Sequence, residues 1–276
     1  MPELPEVEAV TRDLNKRIAG RSIEHAELRR DRLAPEITRE RFRESLSDST
    51  VNFVHRRGKH ILIDLDNGST LIVHLRMSGR FMLLEPDDDD PKFAHAAFHF
   101  TDGTRLVFDD QRHFGLMKVA ATGELAGTRE LAKLAPEPFS EEFTAQYLSG
   151  MIRTSGRVLK EILLDQTKVC GVGNIYASEA LYLSRINPKT RGRGISAARC
   201  SVLYENIKIV LNDAIDLTTS IEMHPKFIGE GVYGRGSETR WRIYDCENEP
   251  CHSCGNSIRK IRQGGRSTYY CPKCQR

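Results

Sequence analysis

The sequence predicts an α+β protein: an N-terminal helix and a β-sandwich or barrel-like domain, then a helical domain, then a small zinc-bound β-hairpin. Three observations predict it. First, Val7, Val10, Leu14 and Ile18 recur at helical spacing between residues 5 and 19, with Gly20 placed to end the helix. Second, from residue 21 to residue 120 the pattern shifts to short β-rich runs. These include Val51-Asn52-Phe53-Val54, Ile61-Leu62-Ile63-Asp64-Leu65, Thr70-Leu71-Ile72-Val73-His74-Leu75, Ala97-Phe98-His99-Phe100 and Leu106-Val107-Phe108, with Asn67-Gly68 and Asp102-Gly103 as hairpin turns. Third, Cys251, Cys254, Cys271 and Cys274 form C-x2-C-x16-C-x2-C near the end of the chain.

The elements between follow in order. The acidic run 87–90 reads as a solvated loop between strands, and residues 121–140, with Pro136 and Pro138, as a connection. From 141 to 222 the period is helical, carried by Val158, Leu159, Ile162 and Leu163 and later by Val202, Leu203, Ile207, Val210 and Leu211. Gly171 and Gly173 interrupt it, and Asn187-Pro188 marks a turn. Residues 223–250 are glycine-rich and polar without a period, which predicts a mobile loop. The expected divisions are 1–135, 136–222, 223–250 and 251–276.

A chain of 276 residues suits two domains, and 39% hydrophobic residues suffice for real cores. No apolar run reaches the ~18 residues of a membrane span. The acidic, proline-bearing start lacks the basic and apolar regions of a signal peptide, so a cytoplasmic location is expected. Seven cysteines fit that compartment as thiols and metal ligands. Cys170, Cys200 and Cys246 share no spacing. The formal charge is +3, but from Cys251 to Arg276 there are six bases (Arg259, Lys260, Arg262, Arg266, Lys273, Arg276) and no acid, which points to a phosphate-rich partner.

Two knuckles of paired cysteines supply four thiolates, closing a tetrahedral shell around one structural zinc ion and leaving no open position for catalysis. Ile258 to Ile261, Gly264-Gly265 and Thr268 to Tyr270 read as the hairpin that brings the pairs together, with Tyr269 and Tyr270 beside the basic residues that suit a nucleic-acid backbone. At the other end, Met1-Pro2-Glu3-Leu4-Pro5-Glu6 offers a second chemistry. If Met1 is removed, as a small second residue permits, Pro2 presents a secondary amine with a reference pKa of roughly 8. Such an amine attacks electrophilic carbon to form an iminium, and Glu3 is a carboxyl group placed to move protons. The plainer alternative is that Pro2 and Pro5 only stiffen a chain end.

Together these residues resemble the bacterial formamidopyrimidine-DNA glycosylases and their endonuclease VIII relatives, nearly end to end. The resemblance is carried by Pro2-Glu3-Leu4-Pro5-Glu6-Val7-Glu8, Arg57-Gly58-Lys59, His74-Leu75-Arg76-Met77-Ser78-Gly79-Arg80, Asp110-Gln111-Arg112-His113-Phe114-Gly115, Leu164-Asp165-Gln166, Gly171-Val172-Gly173-Asn174-Ile175-Tyr176-Ala177 and Tyr270-Cys271-Pro272-Lys273-Cys274-Gln275. Leu4 favours the formamidopyrimidine branch. The resemblance implies a β-sandwich and a helix–two-turns–helix domain bearing the zinc hairpin, with damaged double-stranded DNA in the cleft between them. It implies excision of oxidised purines (8-oxoguanine, formamidopyrimidine) through a Pro2 Schiff base, then strand cleavage by β- and δ-elimination.

By the same resemblance Glu3 moves protons around the opening sugar. Lys59, Asn174 and Arg266 contact phosphates at the lesion. Met77, Arg112 and Phe114 fill the gap left by an extruded nucleotide, although in isolation Met77 and Phe114 read as core residues. Glu6 reads equally as support for the site or as a helix N-terminal charge. A monomer is expected, at the bacterial nucleoid, with no membrane contact and no small-molecule cofactor. The chain departs from the family's lesion-recognition region. A strand Trp241-Arg242-Ile243-Tyr244 is followed by Asp245-Cys246 rather than Gly-Arg, a Gly231-Val232-Tyr233-Gly234-Arg235-Gly236 segment comes earlier, and Met223-His224-Pro225-Lys226-Phe227 is unlike the usual loop. The alternatives are an endonuclease VIII-like activity, a glycosylase for another adduct, or a non-catalytic zinc protein that binds damaged DNA.

Overall fold

The computed structural model describes residues 1–220, 224, 226–228 and 241–276. The chain forms two compact units, Met1–Ala132 with Leu217–Ser237, and Lys133–Asp216 with Glu238–Arg276.

The first unit begins with α1, Leu4–Ile18, which buries Val7, Val10, Leu14 and Ile18 as their spacing predicts. Among the described residues, nine strands follow the ladder order β8-β4-β3-β2-β1-β6-β7-β5-β9. They are β1 (Ser22–Leu28), β2 (Ser49–Arg57), β3 (His60–Leu65), β4 (Ser69–His74), β5 (Gly79–Leu84), β6 (Ala94–Phe100), β7 (Arg105–Asp110), β8 (Leu116–Ala121) and β9 (Phe227–Ile228). The two halves of this ladder meet only where Ser22 and Ile23 pair with Thr50 and Ser49. Ile23, Phe98, Phe100 and Phe108 from one half share a core with Val51, Ile61, Ile63, Leu71 and Val73 from the other. Inner faces sharing one core make this a sandwich. Gly68 (φ 79°) and Gly103 (φ 86°) sit at the hairpins expected of Asn-Gly and Asp-Gly.

Two features depart from expectation. A second helix, α2 (Arg39–Leu46), lies in the stretch read as strands. Its signal is local: Thr38 caps the Arg41 N–H, and Phe42 and Leu46, four apart, are both fully buried. The expected loop at 223–250 includes β9, which pairs with β5 through Phe81↔Ile228 and Met82↔Phe227. Lys226 reaches Asp88 at 2.5 Å, Arg17 donates to the His224 carbonyl at 3.1 Å, and Arg80 lies 5.1 Å from the Phe227 ring centre. Asp88 and Asp90 are thus partners of Lys226 and Arg29 rather than merely solvated. Met223, Pro225 and the 231–236 segment lie outside the described residues.

The second unit carries α3 (Ala145–Arg153), α4 (Leu159–Leu164), α5 (Asn174–Leu183) and, up to Asp216, α6 (Ala197–Ser220). Between α4 and α5 the chain makes two turns in place of a helix. Gln166 holds them, donating to the carbonyls of Leu164 and Val172 and accepting the Gly171 N–H at 3.0 Å. Gly171 takes φ 77°, the left-handed conformation that a side chain disfavours. Within α5, Tyr176 to Tyr182 are all buried, so its lack of an apolar stripe reflects burial all round. Val202, by contrast, is exposed on α6.

Trp241 to Tyr244 is not a strand. The buried Glu179 carboxylate accepts the N–H groups of Arg242, Ile243 and Tyr244 at 2.9–3.1 Å, so three consecutive donors converge on one point and the chain curls. Burial holds the Glu179 carboxyl above its ordinary pKa despite those donors. The chain closes with the antiparallel pair β10 (Arg259–Gln263) and β11 (Arg266–Tyr270). Gly264 (φ 52°) and Gly265 (φ 76°) form its two-residue turn, with the positive φ values of a type I′ hairpin.

Candidate active site

In the first unit, Pro2 and Glu3 are buried immediately ahead of α1. Glu3 is the N-cap of that helix, and a capping box closes it. The Glu3 side chain accepts the N–H of Glu6, while the Glu6 carboxylate accepts the Glu3 N–H at 2.7 Å. Glu6 is the third helical residue of a capping box and fixes the backbone next to Pro2. The helix N-terminus also favours both carboxylates electrostatically.

Further along α1, Glu8 accepts from Arg56 at 2.8 Å, and Arg56 also donates to the Gly58 carbonyl at 3.0 Å. Burial would raise the Glu8 pKa, but Arg56 and Arg12 outweigh it and hold the carboxyl low. The same contacts tie α1 to the Gly58-Lys59 turn between β2 and β3, where Lys59 is 6% exposed. Next to that turn, the His60 and His74 rings meet edge to face with centroids 4.7 Å apart. Burial drives His60 down to about 4. His74 falls to about 2, by burial first and then by the charges of His60, Arg76 and Lys59.

Both imidazoles are therefore neutral at pH 7, and the unfolded chain protonates them near pH 6.5. The folded state binds fewer protons, so stability is intact above pH 6.5 and is lost as pH falls toward 4. Each ring contributes up to about 1.4 kcal/mol per pH unit across that window. Thermal melts between pH 7 and 4 should show this slope, and His74→Asn should flatten it. An unchanged slope in that variant would refute the assignment.

Two neighbouring turns hold the gap-filling candidates. Met77 lies between β4 and β5 and is 43% exposed; Phe114 lies between β7 and β8 and is 52% exposed. The reading of both as core residues is therefore corrected. Arg112 is also exposed, with its guanidinium 5.3 Å from the Phe114 ring centre. Asp110 binds the two turns together, accepting from Ser78 Oγ (2.5 Å), Gly115 N–H (2.7 Å) and Arg112 N–H (3.2 Å). Burial would raise the Asp110 pKa, but these donors outweigh it and keep the carboxyl ionised. Beneath the turns, a Cβ on Gly79 would stand 2.6 Å from the Phe108 ring and one on Gly115 2.7 Å from it, so only glycine fits either position.

Sequence reading singled out Arg112 and Phe114 but not Asp110, whose signal is its place at the end of a strand before a glycine-bounded turn. Asp110→Ala removes the acceptor of three donors and should cost about 1–3 kcal/mol. It should also weaken binding to gapped or abasic duplexes more than to intact duplex. Paired melting and fluorescence-anisotropy measurements check both.

In the second unit, Asn174 is the first residue of α5, after the Gly173 N-cap. Its Nδ2 donates to the Ser267 carbonyl at 3.0 Å. Lys160, missed in the sequence and 1% exposed, donates to the same carbonyl at 3.0 Å and to Thr268 Oγ1 at 2.8 Å. Arg266, exposed beside the hairpin turn, is the residue before this doubly held carbonyl. Asn174 thus holds the strand that begins with Arg266, and Lys160 is the buried cation that fixes the same strand.

The four cysteines converge, with Cys251 Sγ 3.9 Å from Cys274 Sγ and Cys254 Sγ 3.5 Å from Cys271 Sγ. Sulfurs about 2.3 Å from a common tetrahedral ion stand about 3.8 Å apart, so the donor set fits one structural zinc ion. The Tyr182 hydroxyl lies 3.2 Å from Cys251 Sγ and 3.0 Å from Ser253 Oγ. Burial would raise the Cys251 thiol, but Tyr182 and nearby N–H groups bring it down to about 6. Tyr269 and Tyr270 are 4% and 6% exposed, so the expectation that they contact nucleic acid is corrected. Tyr269 packs with Tyr182, Ile243, Cys246 and Ile258 around the cysteines. All six bases of the module, Arg259, Lys260, Arg262, Arg266, Lys273 and Arg276, are exposed. Among the described residues, no helix is long and apolar enough to cross a membrane.

Three family models cover most of the chain. The formamidopyrimidine-DNA glycosylase N-terminal domain matches residues 1–117, the formamidopyrimidine-DNA glycosylase H2TH domain residues 134–224, and the zinc finger found in FPG and IleRS residues 248–276. The formamidopyrimidine-DNA glycosylase of Bacillus subtilis is 38% identical over 278 residues, covering 100% of this chain and 99% of the relative. A Lactococcus lactis Fpg solved with DNA containing an abasic site superposes with a TM-score of 0.90 at 33% identity, over 99% of each chain. The same enzyme solved with DNA containing N7-benzyl-Fapy-dG gives 0.90 and 33%, over 100% of each. With full-length identity, the same fold and the same order of domains, the chain belongs to the formamidopyrimidine-DNA glycosylase family.

Proposed function

We propose that this protein is a bifunctional DNA glycosylase and abasic-site lyase that excises oxidised purines, 8-oxoguanine and formamidopyrimidine, in base excision repair. The observation that carries it is Pro2 followed by a buried carboxylate locked into a capping box, so that amine and proton carrier share one rigid helix start.

With Met1 removed, the Pro2 nitrogen attacks C1′ of the damaged nucleotide as the bond to the base breaks, and the base leaves with a proton. Glu3 donates to the opening sugar oxygen. Loss of the nitrogen's proton gives an iminium, which makes the C2′ hydrogen acidic. Its removal expels the 3′ phosphate, and a second elimination expels the 5′ phosphate. Lys59, Asn174 and Arg266 hold the phosphates, and Met77, Arg112 and Phe114 occupy the vacated stack. The functional division is 1–135 catalytic, 136–222 DNA-binding, 223–250 lesion-recognising and 251–276 zinc hairpin. The protein acts as a monomer in the cytoplasm, at the nucleoid.

Borohydride trapping on abasic DNA tests the chemistry. A covalent adduct that disappears in Pro2→Gly supports it, and equal trapping by that variant overturns it. A panel of duplexes carrying 8-oxoguanine, formamidopyrimidine, thymine glycol and an abasic site tests the substrate. Preference for thymine glycol would favour the endonuclease VIII-like alternative.

A further inference from the structure

On the outward face of the first unit's sheet, well away in sequence from Pro2 and the cysteines, three metal-ligating side chains gather within reach of one ion. His25 on β1 and His99 on β6 are directly paired across the strands, and Glu27 lies two residues beyond His25, hence on the same face. The imidazole rings stack with centroids 3.9 Å apart and planes 14° apart. Glu27 Oε1 stands 3.5 Å from His25 Nε2 and 3.4 Å from His99 Nε2. The three donor atoms all lie within 4.8 Å of one another.

Those separations are too long for hydrogen bonds, which for nitrogen and oxygen run from about 2.7 to 3.2 Å. They match two ligands on one ion: donors about 2.05 Å from a tetrahedral zinc stand about 3.3 Å apart. His99 Nε2 is buried and makes no hydrogen bond, an expensive condition for a polar nitrogen unless something else meets it. The other carboxylate oxygen of Glu27 accepts from Arg29 Nε at 3.0 Å, and Arg29 is held in turn by Asp90 at 2.6 Å. Glu27 is thereby turned so that Oε1 faces the rings, the kind of outer support that orients metal ligands.

We propose that His25, Glu27 and His99 form a second metal site, distinct from the four-cysteine centre, that takes a divalent transition ion of the zinc class. Two imidazoles and a carboxylate are the donor set of such ions, whereas calcium and magnesium prefer oxygen alone. His25 and Glu27 are 42% and 39% exposed, so solvent reaches the site and completes the coordination shell. The ion would staple β1 to β6 from outside the core.

Cobalt(II) titrated into full-length protein already loaded with one zinc tests this. The expected result is a second equivalent that binds with ligand-field bands of nitrogen and oxygen ligation, without thiolate charge transfer, and that raises Tm. His25→Ala and His99→Ala should each abolish that equivalent, and Glu27→Gln should weaken it roughly ten- to a hundredfold. All three side chains lie outside the hydrophobic core, so the variants should keep the zinc content and circular dichroism of the parent. Absence of a second equivalent, binding that survives His25→Ala and His99→Ala, or spectra showing thiolate ligation alone would each overturn the site.

Discussion

Glu3→Gln should lower base excision by about two to four orders of magnitude, the usual contribution of a positioned acid–base group. The amide still offers an oxygen to the Glu6 N–H, so the capping box survives and α1 should keep its stability. Binding to a duplex containing a stable abasic analogue should change by less than tenfold. Single-turnover excision, measured beside anisotropy and a thermal melt, separates these effects. A matched fall in binding or melting temperature would show that Glu3 is only a cap. Glu6→Gln is the companion variant: it weakens the acceptor for the Glu3 N–H, and its effect on excision should exceed its effect on stability.

Removing the zinc should produce the second largest loss. Ile258, Tyr269 and Cys246 pack directly around the cysteine cluster that closes the hairpin. A module of that size draws its folding free energy from the metal, with apparent values of roughly 10–16 kcal/mol in zinc-finger peptides. Chelation, or Cys251→Ser, should therefore release β10 and β11 and with them Arg266. Duplex binding should collapse and lose most of its salt dependence, because phosphate contacts set that slope. Hydrogen exchange should show lost protection in Arg259–Gln263 and Arg266–Tyr270 while α1 and β2 to β4 stay protected. Retained binding with an unfolded hairpin would remove Arg266 from the phosphate contacts.

Much of this molecule was legible residue by residue. The helix from Leu4, the Asn67-Gly68 and Asp102-Gly103 hairpins and the zinc knuckles are encoded by short-range rules: a 3.6-residue period, turn glycines and paired thiols. Cysteine spacing specifies its metal because each pair chelates from one tight turn. The family motifs also named the exposed Met77 and Phe114, which hydrophobicity alone assigns to the core.

Other features arise from groups distant in the chain. Asp110 joins two turns by accepting from Ser78, 32 residues earlier, and Glu179 curls a segment 63 to 65 residues later. Lys160 meets Ser267 and Thr268 across more than a hundred residues. Each is a buried charge satisfied by backbone or hydroxyl partners, and no local pattern announces such partners. The same reasoning applies to His25 and His99: only cross-strand pairing of β1 with β6 stacks the rings. The sequence by itself determined α1, the two hairpins and the zinc knuckles, because those follow from neighbours within a turn or two. Tertiary structure alone decided which charges are buried and what satisfies them, because desolvation depends on the whole fold and is offset only by partners that the fold brings close.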